Sequence, residues 1–233
     1  MPEDILRPLF ESYTGLPLEQ ITELSSSGSN RRYFRLSSGG ISLIGVLGNN
    51  LEENLTFIRF SAHFKKAGLR VPAVRAVSED QMSYLQEDLG DTLLFDAVSQ
   101  GRESGVYSES EKALLCRAIA QLPSLQYEGA KGLDWKNDCM YEAFDARMVD
   151  FDLNYFKYCF LKASGLEFNE VKLAEDFDRL KEDLLKESSN TFMHRDFQAR
   201  NIMLYNGEPY IIDYQGGRRG PVYYDVASFV WQA

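Results

Sequence analysis

Three oxygen-bearing side chains, Asp196, Asn201 and Asp213, are spaced so that one chain reversal brings them together. The reversal is Asn206-Gly207, set between the apolar runs Ile202-Met203-Leu204-Tyr205 and Pro209-Tyr210-Ile211-Ile212. Asn-Gly is a strong two-residue hairpin signal, because both residues tolerate the positive φ that the tight turn requires. Pairing Tyr205 with Glu208 sets the register: Met203 meets Tyr210, and Asn201 meets Ile212. Asn201 and Asp213 then stand at the open end of the hairpin, with Asp196 on the loop leading into it. Pro209 removes one donor from the ladder. Two carboxylates and an amide oxygen at one mouth make a hard ligand set. Such a set suits Mg²⁺, which takes one or two carboxylates together with phosphate oxygens and water. A carboxylate not spent on the metal can accept a proton from a hydroxyl.

The elements that must position this mouth fall into two parts. Residues 1–20 predict a short helix and a turn at Gly15-Leu16-Pro17. Ile21 to Ser25 and Tyr33 to Leu36 predict a hairpin whose polar tip is Ser25 to Asn30, and Ile41 to Leu47 a third strand. Leu51, Leu55, Ile58 and Ala62 lie on one face of a helix over residues 51–66, which Gly68 stops. Val71 to Val77 and Met82 to Gln86 read as two more strands. Residues 1–90 thus form a small β-rich lobe with one long helix. Past an extended joint near Gln86 to Asp91, residues 91–233 read as a mainly helical lobe. Helices are expected over 109–125, 138–165 and 170–187, with the aromatics of 155–160 in the core and the acidic face of 170–187 in solvent. No repeat or low-complexity linker interrupts the chain.

Thirty-five acids against 25 bases give a net charge of −10. That balance argues against non-specific nucleic-acid binding, which needs basic surface. The three cysteines, with no CxxC, argue against a disulfide framework or a structural zinc and fit a reducing cytosol. The N-terminus carries acids where a signal peptide carries bases. The longest clean apolar stretch, Ile41 to Gly48, is too short to cross a bilayer. The expectation is a soluble cytoplasmic protein with no membrane or nucleic-acid partner.

His194-Arg195-Asp196-x-x-x-x-Asn201 followed by Asp213 resembles the catalytic loop and metal-binding aspartate of the protein-kinase-like fold. Asp225-Val226-Ala227-Ser228 is similar to a stretch of its aminoglycoside/choline phosphotransferase branch. Within that branch, Asn30-Arg31-Arg32-Tyr33-Phe34-Arg35, Gln86-Glu87-Asp88-Leu89-Gly90-Asp91, Asp196-Phe197-Gln198-Ala199-Arg200-Asn201, and Asp213-Tyr214-Gln215 with Arg219-Gly220-Pro221 resemble the anomeric sugar kinases. Those enzymes phosphorylate N-acetylmuramate and N-acetylglucosamine. The resemblance implies an α+β two-lobe fold and an ATP- and Mg²⁺-dependent kinase acting on a small-molecule hydroxyl. It implies Asp196 as catalytic base, Asn201 and Asp213 as Mg²⁺ ligands, and Asp225 as the buried brace of the catalytic loop. His194 is structural by the same resemblance. Backbone groups around Gln86 to Asp88 are expected to meet adenine, and the tip with Ser27, Gly28, Ser29 and Asn30 to cover the phosphates. Gln198 and Arg200 either contact substrate or stabilise their loop. Gln215, Arg218 and Arg219 either line the sugar pocket or form an ordinary turn.

The sequence departs from the kinase pattern in two places. The third strand, Ile41-Ser42-Leu43-Ile44-Gly45-Val46-Leu47, has no lysine to hold the phosphates, so Arg31, Arg32 or Arg35 is expected to supply that charge. Without the lysine, Glu52 and Glu53 need form no ion pair. Five residues follow Ser228 where the branch continues, so the helical lobe is expected to be incomplete. The alternative readings are an aminoglycoside- or choline-type kinase with a cationic acceptor, and a non-catalytic nucleotide-sensing module.

Overall fold

The computed structural model describes residues 1–25, 31–186 and 190–232. Helix α1 (Pro2–Thr14) starts on a proline, whose missing N–H costs nothing in a first turn, and ends at Gly15 with φ of 72°. Strands β1 (Gln20–Leu24), β2 (Arg32–Ser38) and β3 (Ile41–Leu47) follow as a meander. Helix α2 (Leu51–Lys66) starts at Asn50, whose side chain accepts the Glu53 N–H. Strands β4 (Val74–Val77) and β5 (Ser83–Glu87) complete an antiparallel sheet in the order β1-β2-β3-β5-β4. β4 begins later than Val71 because Pro72 has no N–H to give a ladder.

Alternation along the strands gives the sheet two apolar faces. Phe34, Leu36, Leu43 and Leu85 pack on Leu6 and Phe10 of α1. Ile44, Val46 and Tyr84 pack on Phe57, Phe60 and Phe64 of α2. Gly45 permits the close approach of α1, since a Cβ there would stand 3.0 Å from methyls of Leu6 and Leu36.

Short helices α3 (Leu94–Ala97) and α4 (Ser99–Ser104) open the second lobe. Helix α5 (Glu109–Ile119) has a reciprocal Ser108–Glu111 capping box. It was expected to reach residue 125 but stops at Ile119, the carbonyl that the ring of Pro123 would strike. A π-turn spans Ser124–Glu128. Helix α6 (Ala146–Phe156) is shorter than the 138–165 helix expected. Asp145 caps it, and upstream Asp134 holds Lys136 and Asn137 in a non-helical turn. Helix α7 (Glu170–Leu185) buries no residue fully; Leu173, Phe177 and Leu184 are half-buried and Leu180 exposed. The 155–160 aromatics are not core: Tyr155, Phe156, Tyr158 and Phe160 are all exposed.

The C-terminal segment carries β6 (Thr191–Met193), β7 (Ile202–Tyr205), β8 (Glu208–Ile211), β9 (Arg218–Gly220) and α8 (Val222–Gln232). β7 pairs with β8, and β6 with β9. Helix α2 joins the two lobes. Phe57 stacks on Tyr84 of the sheet at 5.2 Å and on Tyr214 of the second lobe at 4.9 Å. Phe64 meets Phe192 edge-on at 4.9 Å. Each buried ring contributes about 1.5–3 kcal/mol by leaving water, so this aromatic seam fixes one lobe on the other. Among the described residues, no helix is long and apolar enough to cross a membrane.

Candidate active site

The hairpin closes in the register expected, with Tyr205 opposite Glu208 and Met203 opposite Tyr210. Asn206 and Gly207 have φ of 52° and 76°, as a two-residue turn of this twist requires. The ladder continues past β7, where the Ile212 N–H donates to Asn201 O at 3.0 Å. Asn201 and Asp213 are thereby held at the open end.

The loop before the hairpin is tied from behind. Asp225, fully buried on α8, accepts the N–H groups of His194 and Arg195, each at 2.9 Å. Burial pushes its carboxyl above the usual range, and the two N–H groups pull it back. His194 Nδ1 lies 3.3 Å from the Asp196 N–H and therefore accepts. Its Nε2 must then carry the proton, donated to Ile212 O at 3.0 Å. The imidazole thus bridges loop and hairpin with both nitrogens spent, 1% exposed, and has none left for chemistry. Asn201 Nδ2 donates to Asp196 O at 2.9 Å, which leaves Oδ1 as its remaining polar atom. Two non-glycine residues take left-handed backbone here, Arg195 at φ 77° and Asp213 at φ 60°. Each costs about 1–2 kcal/mol and persists because the surrounding bonds over-determine it.

Asp196, Asn201 and Asp213 all line one cleft between the lobes, with a volume of about 830 Å³. Its walls are apolar: Leu24, Ile44 and Phe57 on one side, Met203 and Ile212 on the other. The joint residues Gln86 to Asp91 close one edge. Such a slot has room for a flat heterocycle, and Asp196 and Asp213 make one end of it acidic. Asp213 Oδ1 accepts from Gln215 Nε2 at 2.8 Å, leaving Oδ2 for a metal beside Asn201 Oδ1. Among the described residues, no cluster of three or more His, Cys, Asp or Glu gathers for a metal. The donor set is the two-oxygen kind that a cation sharing phosphate ligands needs.

The joint is clamped. Arg35 Nε and Nη2 donate to both carboxylate oxygens of Asp88, at 2.8 and 3.1 Å, and Ser42 and the Gly90 N–H also donate to it. Burial alone would raise the Asp88 carboxyl, but these donors outweigh it and hold it below the usual range. The Asp88 side chain is therefore committed to the clamp, while Gln86 and Asp88 both border the cleft.

The arginines expected to replace the strand lysine each face a carboxylate. Arg32 is held on the exposed face by Glu23 at 2.8 Å. Arg35 is spent on Asp88 and Asp91. Arg31 is 2% exposed, pairs with Glu53 at the start of α2, and lies over the Phe57 ring at 5.6 Å. Glu53 therefore does form an ion pair, contrary to the expectation from the missing lysine. Ser27, Gly28, Ser29 and Asn30 lie outside the described residues. Gln198 and Arg200 line the cleft, and the Arg200 guanidinium stacks on Phe95 at 3.5 Å. Gln215 is bonded to Asp213, and Arg219 faces Glu142 at 3.3 Å, away from the cleft.

Sequence reasoning missed several contributors. Arg195 reaches Asp152 of α6 at 3.1 Å, anchoring the loop sideways. The Phe95 ring is met by two guanidiniums, Arg102 at 3.6 Å and Arg200 at 3.5 Å from its centroid. The Arg35–Asp88 clamp joins residues 53 positions apart, a separation with no local signature. A hint was available in the charge pattern, arginines on β2 and acids at the joint.

A five-stranded antiparallel lobe over a helical lobe, with a tied acidic loop and hairpin beneath the cleft, defines the protein-kinase-like fold. The chain belongs to the phosphotransferase enzyme family, matched over residues 20–233. It is 27% identical over 221 residues to an N-acetylmuramate/N-acetylglucosamine kinase of Pseudomonas aeruginosa, covering 93% of this chain and 61% of that protein. It is 31% identical over 169 residues to an N-acetylmuramate/N-acetylglucosamine kinase of Neisseria meningitidis, covering 71% of this chain and 47% of that protein. The chain thus spans about half to three-fifths of the length of these curated relatives. A crystal structure of aminoglycoside phosphotransferase APH(4)-Ia superposes with a TM-score of 0.65 at 16% identity, covering 97% of this chain and 76% of that one. Choline kinase from Cryptosporidium parvum gives 0.63 at 15% identity, covering 94% and 63%.

Proposed function

We propose that the chain is the catalytic part of an ATP- and Mg²⁺-dependent kinase that phosphorylates a sugar hydroxyl, the anomeric hydroxyl of an N-acetyl amino sugar. The observation that carries this reading is the convergence of Asp196, Asn201 and Asp213 on one cleft with an apolar slot. The relatives named as N-acetylmuramate/N-acetylglucosamine kinases support the acceptor. Adenine sits between Ile44 and Met203, with the joint main chain at its edge. Asn201 Oδ1 and Asp213 Oδ2 would hold the cation, which would supply positive charge against the negative charge that grows during transfer. Asp196 orients the acceptor hydroxyl and takes its proton as the new O–P bond forms. The bond from the γ-phosphorus to the bridging oxygen breaks, and ADP leaves with that electron pair. Asp225, His194 and the Arg195–Asp152 pair keep Asp196 in place, so most of the rate comes from positioning.

A second reading, a nucleotide-binding module without turnover, rests on the third strand, Ile41–Leu47, which carries no lysine. ADP release measured with N-acetylglucosamine and N-acetylmuramate as acceptors separates the two. Turnover is expected, and Asp196→Asn should lower kcat by about 10²–10⁴-fold, the usual share of a general base. Undiminished transfer by Asp196→Asn refutes the assignment; binding of ATP without turnover favours the second reading.

A further inference from the structure

A second cavity, of about 590 Å³, lies beside Arg195 between α6, β9 and the segment 140–145. In a chain of net charge −10, its lining holds four arginines, Arg147, Arg195, Arg218 and Arg219, against two acids, Glu142 and Asp145. Both acids are occupied. Glu142 faces Arg219 at 3.3 Å, and Asp145 accepts the Met148 N–H at 3.0 Å as the cap of α6. Arg195 is balanced by Asp152. Among the described residues, Arg147 and Arg218 have no carboxylate within ion-pair distance.

Arg218 is the unusual one, because it is 4% exposed. Its Nε and Nη2 donate to Gly216 O at 3.2 and 3.0 Å, its Nη1 lies 3.0 Å from Met148 Sδ, and its Cζ stands 4.7 Å from the Tyr141 ring centroid. None of these partners carries a formal negative charge. A buried guanidinium without an anion is costly, and an anionic ligand would supply the missing charge. Burial, with Arg195 nearby, brings its pKa down to about 10, as expected of an uncompensated cation. Arg147, exposed on α6, adds a second fork at the mouth.

Arg195 lines this cavity, and its neighbour Asp196 lines the cleft. The two spaces thus meet the loop at adjacent residues, whose Cα atoms are about 3.8 Å apart, a separation within the reach of one substituted hexose. We propose that this cavity is the subsite for the carboxylate of an acidic amino-sugar acceptor, held by Arg218 and Arg147. The proposal rests on the sugar-kinase reading for its occupant. Planar guanidinium forks match a carboxylate bidentately, and a neutral sugar forgoes those bonds. The subsite therefore discriminates between N-acetylmuramate, which bears a carboxylate, and N-acetylglucosamine, which does not.

The test compares the full chain with Arg147→Gln and Arg218→Lys. Two quantities are read: the KM ratio of N-acetylmuramate to N-acetylglucosamine, and the thermal stabilisation by each sugar and by inorganic phosphate without nucleotide. Arg147→Gln, on an exposed helix position, keeps the test clear of a folding defect. We expect N-acetylmuramate to stabilise the wild type more than N-acetylglucosamine, and the KM ratio to rise about tenfold or more in both variants. An unchanged ratio in both variants, with turnover intact, overturns the subsite and leaves the kinase. Stabilisation by phosphate but not by N-acetylmuramate overturns the carboxylate-bearing sugar as occupant. If neither sugar is turned over, yet N-acetylmuramate stabilises the wild type and Arg147→Gln abolishes that effect, the kinase reading fails and the subsite stands.

Discussion

Replacing Asp225 tests how far the catalytic loop depends on one buried carboxylate. The side chain is fully buried and accepts two backbone N–H groups at 2.9 Å, from His194 and Arg195. Asp225→Asn keeps the volume but offers one oxygen where two are needed. One N–H then faces an NH₂ group, leaving a buried donor without an acceptor at a cost of about 1–3 kcal/mol. The burial penalty on the carboxylate charge, lost in the amide, places the net effect toward the lower half of that range. Asp225→Ala strands both donors and opens a void, for about 3–5 kcal/mol. At about 2–4 °C per kcal/mol for a chain of this size, the amide variant should melt roughly 2–8 °C below the wild type. The same two N–H groups set the backbone from which Asp196 projects. A shift there of about 1 Å is enough for a 10²-fold loss of kcat, whereas the apolar nucleotide slot is untouched. Urea unfolding, melting and ADP-release kinetics on the three proteins provide the comparison. A stability change for Asp225→Asn within about 0.5 kcal/mol, together with wild-type kcat, would refute the claim that this carboxylate holds the loop.

Other outcomes follow from the same geometry. Donors hold the Asp88 carboxyl below its ordinary value, so its contribution is present above the unfolded pKa of about 3.9 and lost as pH falls through the folded value. The urea-stability gap between wild type and Asp88→Asn should therefore be open at neutral pH and close below about pH 4; a gap independent of pH contradicts the clamp. Burial pushes the Cys139 thiol up to about 12, while Cys116 and Cys159 are exposed. Iodoacetamide should then modify two cysteines of the native chain and the third only on unfolding, as mass spectrometry would show. Gly207→Val forces a branched side chain to φ of 76° and should cost about 1–2 kcal/mol in urea unfolding.

Local rules carried the sequence a long way. The span of α2 followed from apolar spacing and the stop at Gly68, because a helix repeats its contacts every few residues. The β7–β8 register followed from Asn206-Gly207 alone, since a two-residue turn admits one pairing, and that pairing brought Asn201 and Asp213 side by side. Where partners lie far apart along the chain, no such rule applies. Arg31 faces Glu53 across 22 positions and Arg35 faces Asp88 across 53, so both arginines looked available until the sheet placed them against acids. The 155–160 aromatics looked like core because composition reports hydrophobicity, whereas burial depends on which element packs above. The uncompensated charge of Arg218 was equally hidden, because what surrounds a side chain is decided by the β6–β9 pair, α6 and the preceding loop meeting at one point. Short-range geometry was thus written in the order of residues, while the electrostatic setting of each charge was settled only when distant segments closed around it.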